Sequence, residues 1–220
     1  MSARFISMIL VALAAAPGDL AAQPKATGSV EGRAVVTGRK SPADHSKVVV
    51  EVHVPGGAMA PGRATIHQKN QTFRPDLVVV AKNSTVDFPN DDKIFHNVFS
   101  LSRAARFDLG LYKSGSTRSV QMRRAGVVDI YCNIHPNMVS QIKVVDTPFH
   151  AVTGADGRFR ITGIPPGSYP VTAWVPYGEE YKGQVVIEPG KTARLELTIK
   201  AGQPPKRHLR KDGTPYGRYQ

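Results

Sequence analysis

Between residues 64 and 147 the chain never keeps an apolar residue at every third or fourth position for long enough to make a helix. It breaks instead into short runs, "ATIHQ", "DLVVVAK", "STVDFPN", "HNVFSLS", "TRSVQMR", "GVVDIYC" and "SQIKVVD", each bounded by Gly, Pro, Asn, Asp or Ser. β-Branched and aromatic residues suit a half-buried pleated surface, and the bounding residues are those that turn a chain. Several such strands in succession predict antiparallel sheets packed as a sandwich or barrel, in an all-β protein. This unit is placed at residues 47–147.

The same argument yields a second sandwich at 148–200. In "DGRFRITGIPPGSYPVTAW" Phe159, Ile161 and Ile164 alternate with polar neighbours, and Pro189-Gly190 sits at the turn of a hairpin in "GQVVIEPGKTARLELTI". Residues 23–46 read as a linker and a first strand, "GSVEGRAVV", which is expected to belong to that C-terminal sandwich. Residues 201–220 carry five Lys or Arg, one Asp and no apolar period. They are expected to be a disordered basic tail, because they bury too little to offset ordering entropy.

Residues 1–22 hold Arg4, an apolar stretch from Phe5 to Ala16, and small residues ending at Ala22. That is the layout of an export signal, too short to span a bilayer, and it implies a periplasmic protein. The formal net charge of +12 favours anionic partner surfaces. The cations are not interleaved with aromatics on one module, which argues against nucleic acid.

An exported chain with one cysteine has no internal disulfide to make, so Cys132 is an exposed thiol, half of an intermolecular bridge or a metal ligand. A lone Cys also packs well as an inert small hydrophobe. Here "YCNIHPNM" puts His135 three residues and Met138 six residues after it. Thiolate, imidazole and thioether are a soft set, suited to copper, whereas zinc seeks four strong ligands and has little use for Met. A second imidazole is needed, and His96 in "IFHNVFS" is the best candidate. His45, His53, His67, His150 and His208 have no such company and read as surface or turn histidines.

A His-Asn pair at a strand edge, followed by a Tyr-ended strand leading into Cys-x-x-His-x-x-Met, resembles the cupredoxins, the blue-copper family, in their amicyanin/plastocyanin-like form. The likeness covers about residues 64–147. It implies a Greek-key sandwich with His96, Cys132 and His135 as equatorial copper ligands and Met138 as the axial one. It also implies that Asn97 ties the two ligand loops together and that the edge of His135 is the electron port, within an apolar patch of Ile134, Pro136 and Val139. Pro136 restricts both itself and His135, stiffening the loop. Residues 148–200 resemble the carboxypeptidase regulatory-like sandwich, an Ig-like or prealbumin-like module that serves as scaffold or docking surface. The copper unit is then expected to be inserted between that sandwich's first strand and its remainder.

The reading that follows is a periplasmic type 1 copper protein, not an enzyme. It would pass single electrons between redox proteins such as a dehydrogenase or a cytochrome. It is expected to be monomeric and not transmembrane, with the basic tail available for peripheral contact. Copper delivery and a non-redox β-sandwich binding module are the alternatives. Few exposed Met or His outside the foursome count against delivery, and the intact foursome counts against the binding module.

Overall fold

The computed structural model describes residues 26–41 and 44–217, so the expected export signal lies outside the described residues. The described residues open with β1 (Gly28–Thr37) and β2 (Val49–Val52). Ten strands follow: β3 (Arg63–Thr65), β4 (His67–Gln68), β5 (Phe73–Arg74), β6 (Leu77–Ala81), β7 (Thr85–Pro89), β8 (His96–Leu101), β9 (Arg106–Tyr112), β10 (Thr117–Gln121), β11 (Gly126–Tyr131) and β12 (Val139–Val145). Five more complete the set among the described residues: β13 (His150–Val152), β14 (Arg158–Ile164), β15 (Gly167–Trp174), β16 (Glu180–Ile187) and β17 (Thr192–Lys200). The all-β class expected from the short apolar runs is the class observed. Among the described residues no helix is long and apolar enough to cross a membrane.

One pair of sheets, β14-β1-β17 and β13-β2-β15-β16, encloses a core that includes Val30, Val50, Phe159, Ile161, Val171, Ile187 and Leu197. Side chains alternate along a strand, so Phe159 and Ile161 reach the same face. Ile164 joins that core out of step with them, because β14 places an extra residue opposite the stretch from Gly28 to Val30. Gly163, with φ of 75°, absorbs the slip as a glycine in a bulge does. β1 lies parallel to β17 from Ser29 opposite Thr192 to Thr37 opposite Lys200.

Residues 47–54, expected at the start of the next unit, belong to this one. Val50 in β2 lies opposite Ala151 in β13 and Ala173 in β15. Val50 and Val52 enter the shared core, while Val49 packs with Val145 and Trp174 in a separate cluster. A strand buried on both faces lacks the apolar-polar alternation that would reveal which sheet it completes.

Residues between β2 and β13 build the other pair of sheets, β10-β7-β3 and β6-β12-β11-β8-β9, with the small ribbon β4-β5 beside them. Their core holds Ile66, Phe73, Phe88, Val98, Met122, Ile130 and Ile142, together with Cys132 and Met138. The turn from β6 to β7 uses Asn83 at φ 69°, a left-handed conformation that Asn tolerates. Next to it, the buried Ser84 hydroxyl accepts the Gly62 N–H at 2.8 Å. The two units meet at Val49, Val145 and Trp174, and at an ion pair in which Lys143 Nζ lies 2.7 Å from Glu51 Oε1, both side chains buried.

Residues 201–220 are expected to be a disordered tail; of those described, Ala201 and Gln203 instead bond to Thr37 and Gly38 at the end of β1, and residues 208–216 pack against the unit built from β3 to β12. His208 and Tyr216 are buried at 7% and 8% exposure. The His208 ring stacks on Tyr131 (centroids 4.5 Å, planes 29° apart), and Tyr216 meets His208 edge-on at 5.3 Å. Charge count missed this because two ring side chains, not a periodic apolar face, supply the buried surface. His208 is thus no surface histidine.

Candidate metal centre

β8 and β11 are antiparallel, with Tyr131 opposite Phe99. That register carries the first residue of β8, His96, to the same end of the sheet as Cys132, which directly follows β11. Residues 132–138 then form a tight connection back into β12, pinned by the Met138 N–H on the His135 carbonyl at 3.2 Å.

Three donor atoms converge there. His96 Nδ1 and His135 Nδ1 are 3.1 Å apart, and Cys132 Sγ lies 3.5 Å from His135 Nδ1 and 3.9 Å from His96 Nδ1. His96 and Cys132 are fully buried and His135 half-buried. Donors bound at about 2.0–2.3 Å to one ion, at trigonal to tetrahedral angles, sit about 3.3–3.8 Å from one another. The observed sides of 3.1, 3.5 and 3.9 Å come within about 0.2 Å of that spacing, and the chemistry, two imidazoles and a thiol, fits a soft transition metal. Met138 is fully buried in the same core cluster as Cys132.

Neighbouring groups hold the donors. His96 Nε2 lies 2.8 Å from Asp92 Oδ2, so the ring's second nitrogen is committed to a carboxylate and Nδ1 is left to face the sulfur. Asp92 is itself fixed by the N–H groups of Asn70 at 2.5 Å and Gln71 at 2.9 Å. Burial opposes ionisation of Asp92, but those N–H groups and the His96 ring outweigh it and hold the carboxyl below its ordinary range. Asn97 bridges the two loops: its Oδ1 accepts the Asn133 N–H at 3.3 Å, and its Nδ2 donates to Asp108 Oδ1 at 2.7 Å.

Burial pushes the Cys132 thiol up, while the N–H groups of Asn97, Ile134 and His135 pull it the other way. Burial, then the neighbouring His96, drives His135 down, so its ring is readily neutral and able to ligate. Ile134, His135, Pro136 and Asn137 line an open hollow with Gln71.

Of the residues singled out in the sequence, His96, Cys132 and His135 come together as donors, and Asn97 and Pro136 lie in or against the same loop. His67 stands apart, exposed, with Nδ1 2.6 Å from Asp91 Oδ2. His45 is buried and accepts the Val36 N–H on Nδ1 at 3.0 Å. Sequence reasoning missed Asp92, whose only signal is a carboxylate four residues before His96. It also missed the C-terminal partners of the loop. Tyr216 Oη donates to the Cys132 carbonyl at 2.6 Å, and the Lys211 N–H donates to Asn133 Oδ1 at 2.9 Å. His208 meets the Pro136 carbonyl through its backbone N–H (3.2 Å) and the His135 carbonyl through Nε2 (3.3 Å). A second hollow lies on β14-β1-β17, among Arg33, Arg158, Arg160 and Arg194 with Glu31 and Glu196, and contains no Cys or His.

A family model of the carboxypeptidase regulatory-like domain matches residues 139–200. The match begins on β12, which is hydrogen-bonded into the donor-bearing unit, and runs through β13 to β17; β1 and β2, which complete the sandwich, precede it. The search of curated proteins found no match. Among solved structures, a purple cupredoxin from Nitrosopumilus maritimus is 22% identical, covering 37% of this chain and 99% of its own, with a TM-score of 0.34. A copper(I) form of an amicyanin variant is 19% identical over 44% of this chain and 98% of its own, TM-score 0.36. A copper-containing nitrite reductase from Thermus scotoductus SA-01 is 21% identical over 51% of this chain and 28% of its own, TM-score 0.37. The cupredoxin likeness and the carboxypeptidase regulatory-like segment read from the sequence both recur in these matches. At such overlap the site is judged on its own atoms.

Proposed function

We propose that this protein is a periplasmic electron carrier holding one copper ion through His96, Cys132, His135 and Met138. The observation that carries the reading is the triangle of Cys132 Sγ and the two Nδ1 atoms, buried and spaced for a single ion. The chemistry supplied by copper in such a set is a reversible one-electron couple. Asp92 fixes the tautomer and orientation of the His96 ring, the kind of outer partner that sets ligand basicity. Burial raises the Cys132 thiol, and the N–H groups around it offset part of that rise, easing the loss of its proton to a metal. Asn97 keeps the two loops in register, so the donors stay in place while the charge at the centre changes. His135, half-exposed beside the hollow, is the route by which an electron reaches a partner protein docked over Ile134 and Pro136. No substrate bond is made or broken, so the chain acts as a carrier rather than an enzyme. The second sandwich is a scaffold, and residues 1–22 direct export.

The test is the visible and electron-spin spectrum of the copper-loaded protein. An intense thiolate-to-copper(II) band that vanishes in Cys132→Ser is expected, together with a reversible redox couple. A colourless copper-loaded protein without such a couple overturns the reading.

A further inference from the structure

The loop that bears Cys132 and His135 is gripped from outside by residues 208–216. Within 132–136, the carbonyls of Cys132, His135 and Pro136 and the side chain of Asn133 each meet a group from residues 208–216. The gripping segment has a shape of its own. The Arg210 N–H bonds the Thr214 carbonyl at 2.9 Å, the Gly213 N–H returns to the Arg210 carbonyl at 2.9 Å, and Asp212 Oδ1 accepts the Thr214 N–H at 2.9 Å. It is seated by the His208 stack on Tyr131, the last residue of β11, and by an ion pair from Lys211 to Asp108, the carboxylate that also holds Asn97.

We propose that residues 208–216 are an internal splint whose His208, Lys211 and Tyr216 are positioning residues, setting the backbone of the donor loop before any metal arrives. The reach of the contacts argues for this. A segment that merely covered apolar surface would need only the rings of Tyr131 and Phe99, whereas this one satisfies successive polar groups on both sides of His135. A loop lacking regular structure has few bonds of its own to define it, and ordering it in advance removes that entropy from the binding step. The identity of the loop as a ligand loop rests on the copper reading; the mechanical role does not.

The experiment compares the full-length metal-free protein with a chain ending at Gln203 and with the full-length Tyr216→Phe variant, by amide hydrogen exchange. Tyr216→Phe keeps the ring and removes one buried hydrogen bond, so the amides of 133–135, 137 and 138 should exchange about fivefold faster, with more in the shortened chain. Amides of β14 to β17 should be unchanged. Adding a peptide of residues 204–217 should restore protection to the shortened chain. With copper added, the shortened chain should bind one ion per chain yet show altered copper hyperfine splitting that the added peptide reverses, a signature that loss of general stability does not produce. Equal loop exchange in all three proteins overturns the splint. Faster loop exchange in both variants of a protein that never turns blue upholds the splint and defeats the copper carrier.

Discussion

Asp92 Oδ2 sits 2.8 Å from His96 Nε2, while Nδ1 of the same ring faces Cys132. Asp92→Asn preserves the shape and removes the charge that fixes the ring's tautomer. Loss of such a partner weakens metal binding about 10–100-fold. Competition titration with a copper chelator should show a drop of that size, with little change in the fold.

Asn97 satisfies Asn133 on one loop and Asp108 on the strand alongside. Asn97→Ala leaves a carboxylate and an N–H without that partner. Thermal unfolding of the metal-free protein should report a loss of about 1–3 kcal/mol.

Glu51 and Lys143 join the two units with both charges out of water. Glu51→Gln strands the ammonium and should cost about 3–5 kcal/mol, whereas Glu51→Leu combined with Lys143→Met should recover most of that. Urea unfolding of the three proteins decides it. A Glu51→Gln midpoint equal to that of the wild type would show the pair to be dispensable.

Asp108 anchors the C-terminal segment through Lys211. Burial opposes its ionisation, but Lys211, the Gly110 N–H and the Asn97 amide outweigh this and lower its pKa. A carboxyl lowered in the folded state stabilises in full above its unfolded value, about 4, and loses that contribution as pH falls through the folded value. The gap in urea midpoint between wild type and Asp108→Asn should therefore be constant from pH 7 to about pH 5 and close below about pH 4.

The sequence exposes those parts of this fold that are written locally. Phe159 and Ile161 in β14, or Val128 and Ile130 in β11, alternate with less buried neighbours, and the spacing of Cys132, His135 and Met138 is visible by eye. β2 was misassigned because "VVVEV" is apolar toward two different cores, and nothing in it names its partners. Asp92 looked like any turn carboxylate, since its importance lies in a ring nitrogen reached only after β8 is placed. His208 and Tyr216 were hidden among cations because their anchor, Tyr131, is far away along the chain.

The pairing of β1 with β17 sets an order on how the molecule is completed. Synthesis delivers Ser29 163 residues before its neighbour Thr192, so one edge of β1 stays bare over that whole stretch. Every strand from β3 to β12 has its sheet partners to hand well before then. The donor-bearing half can therefore assemble while its host sandwich still lacks a strand, and until β17 arrives the waiting edge of β1 is a template on which another chain can pair.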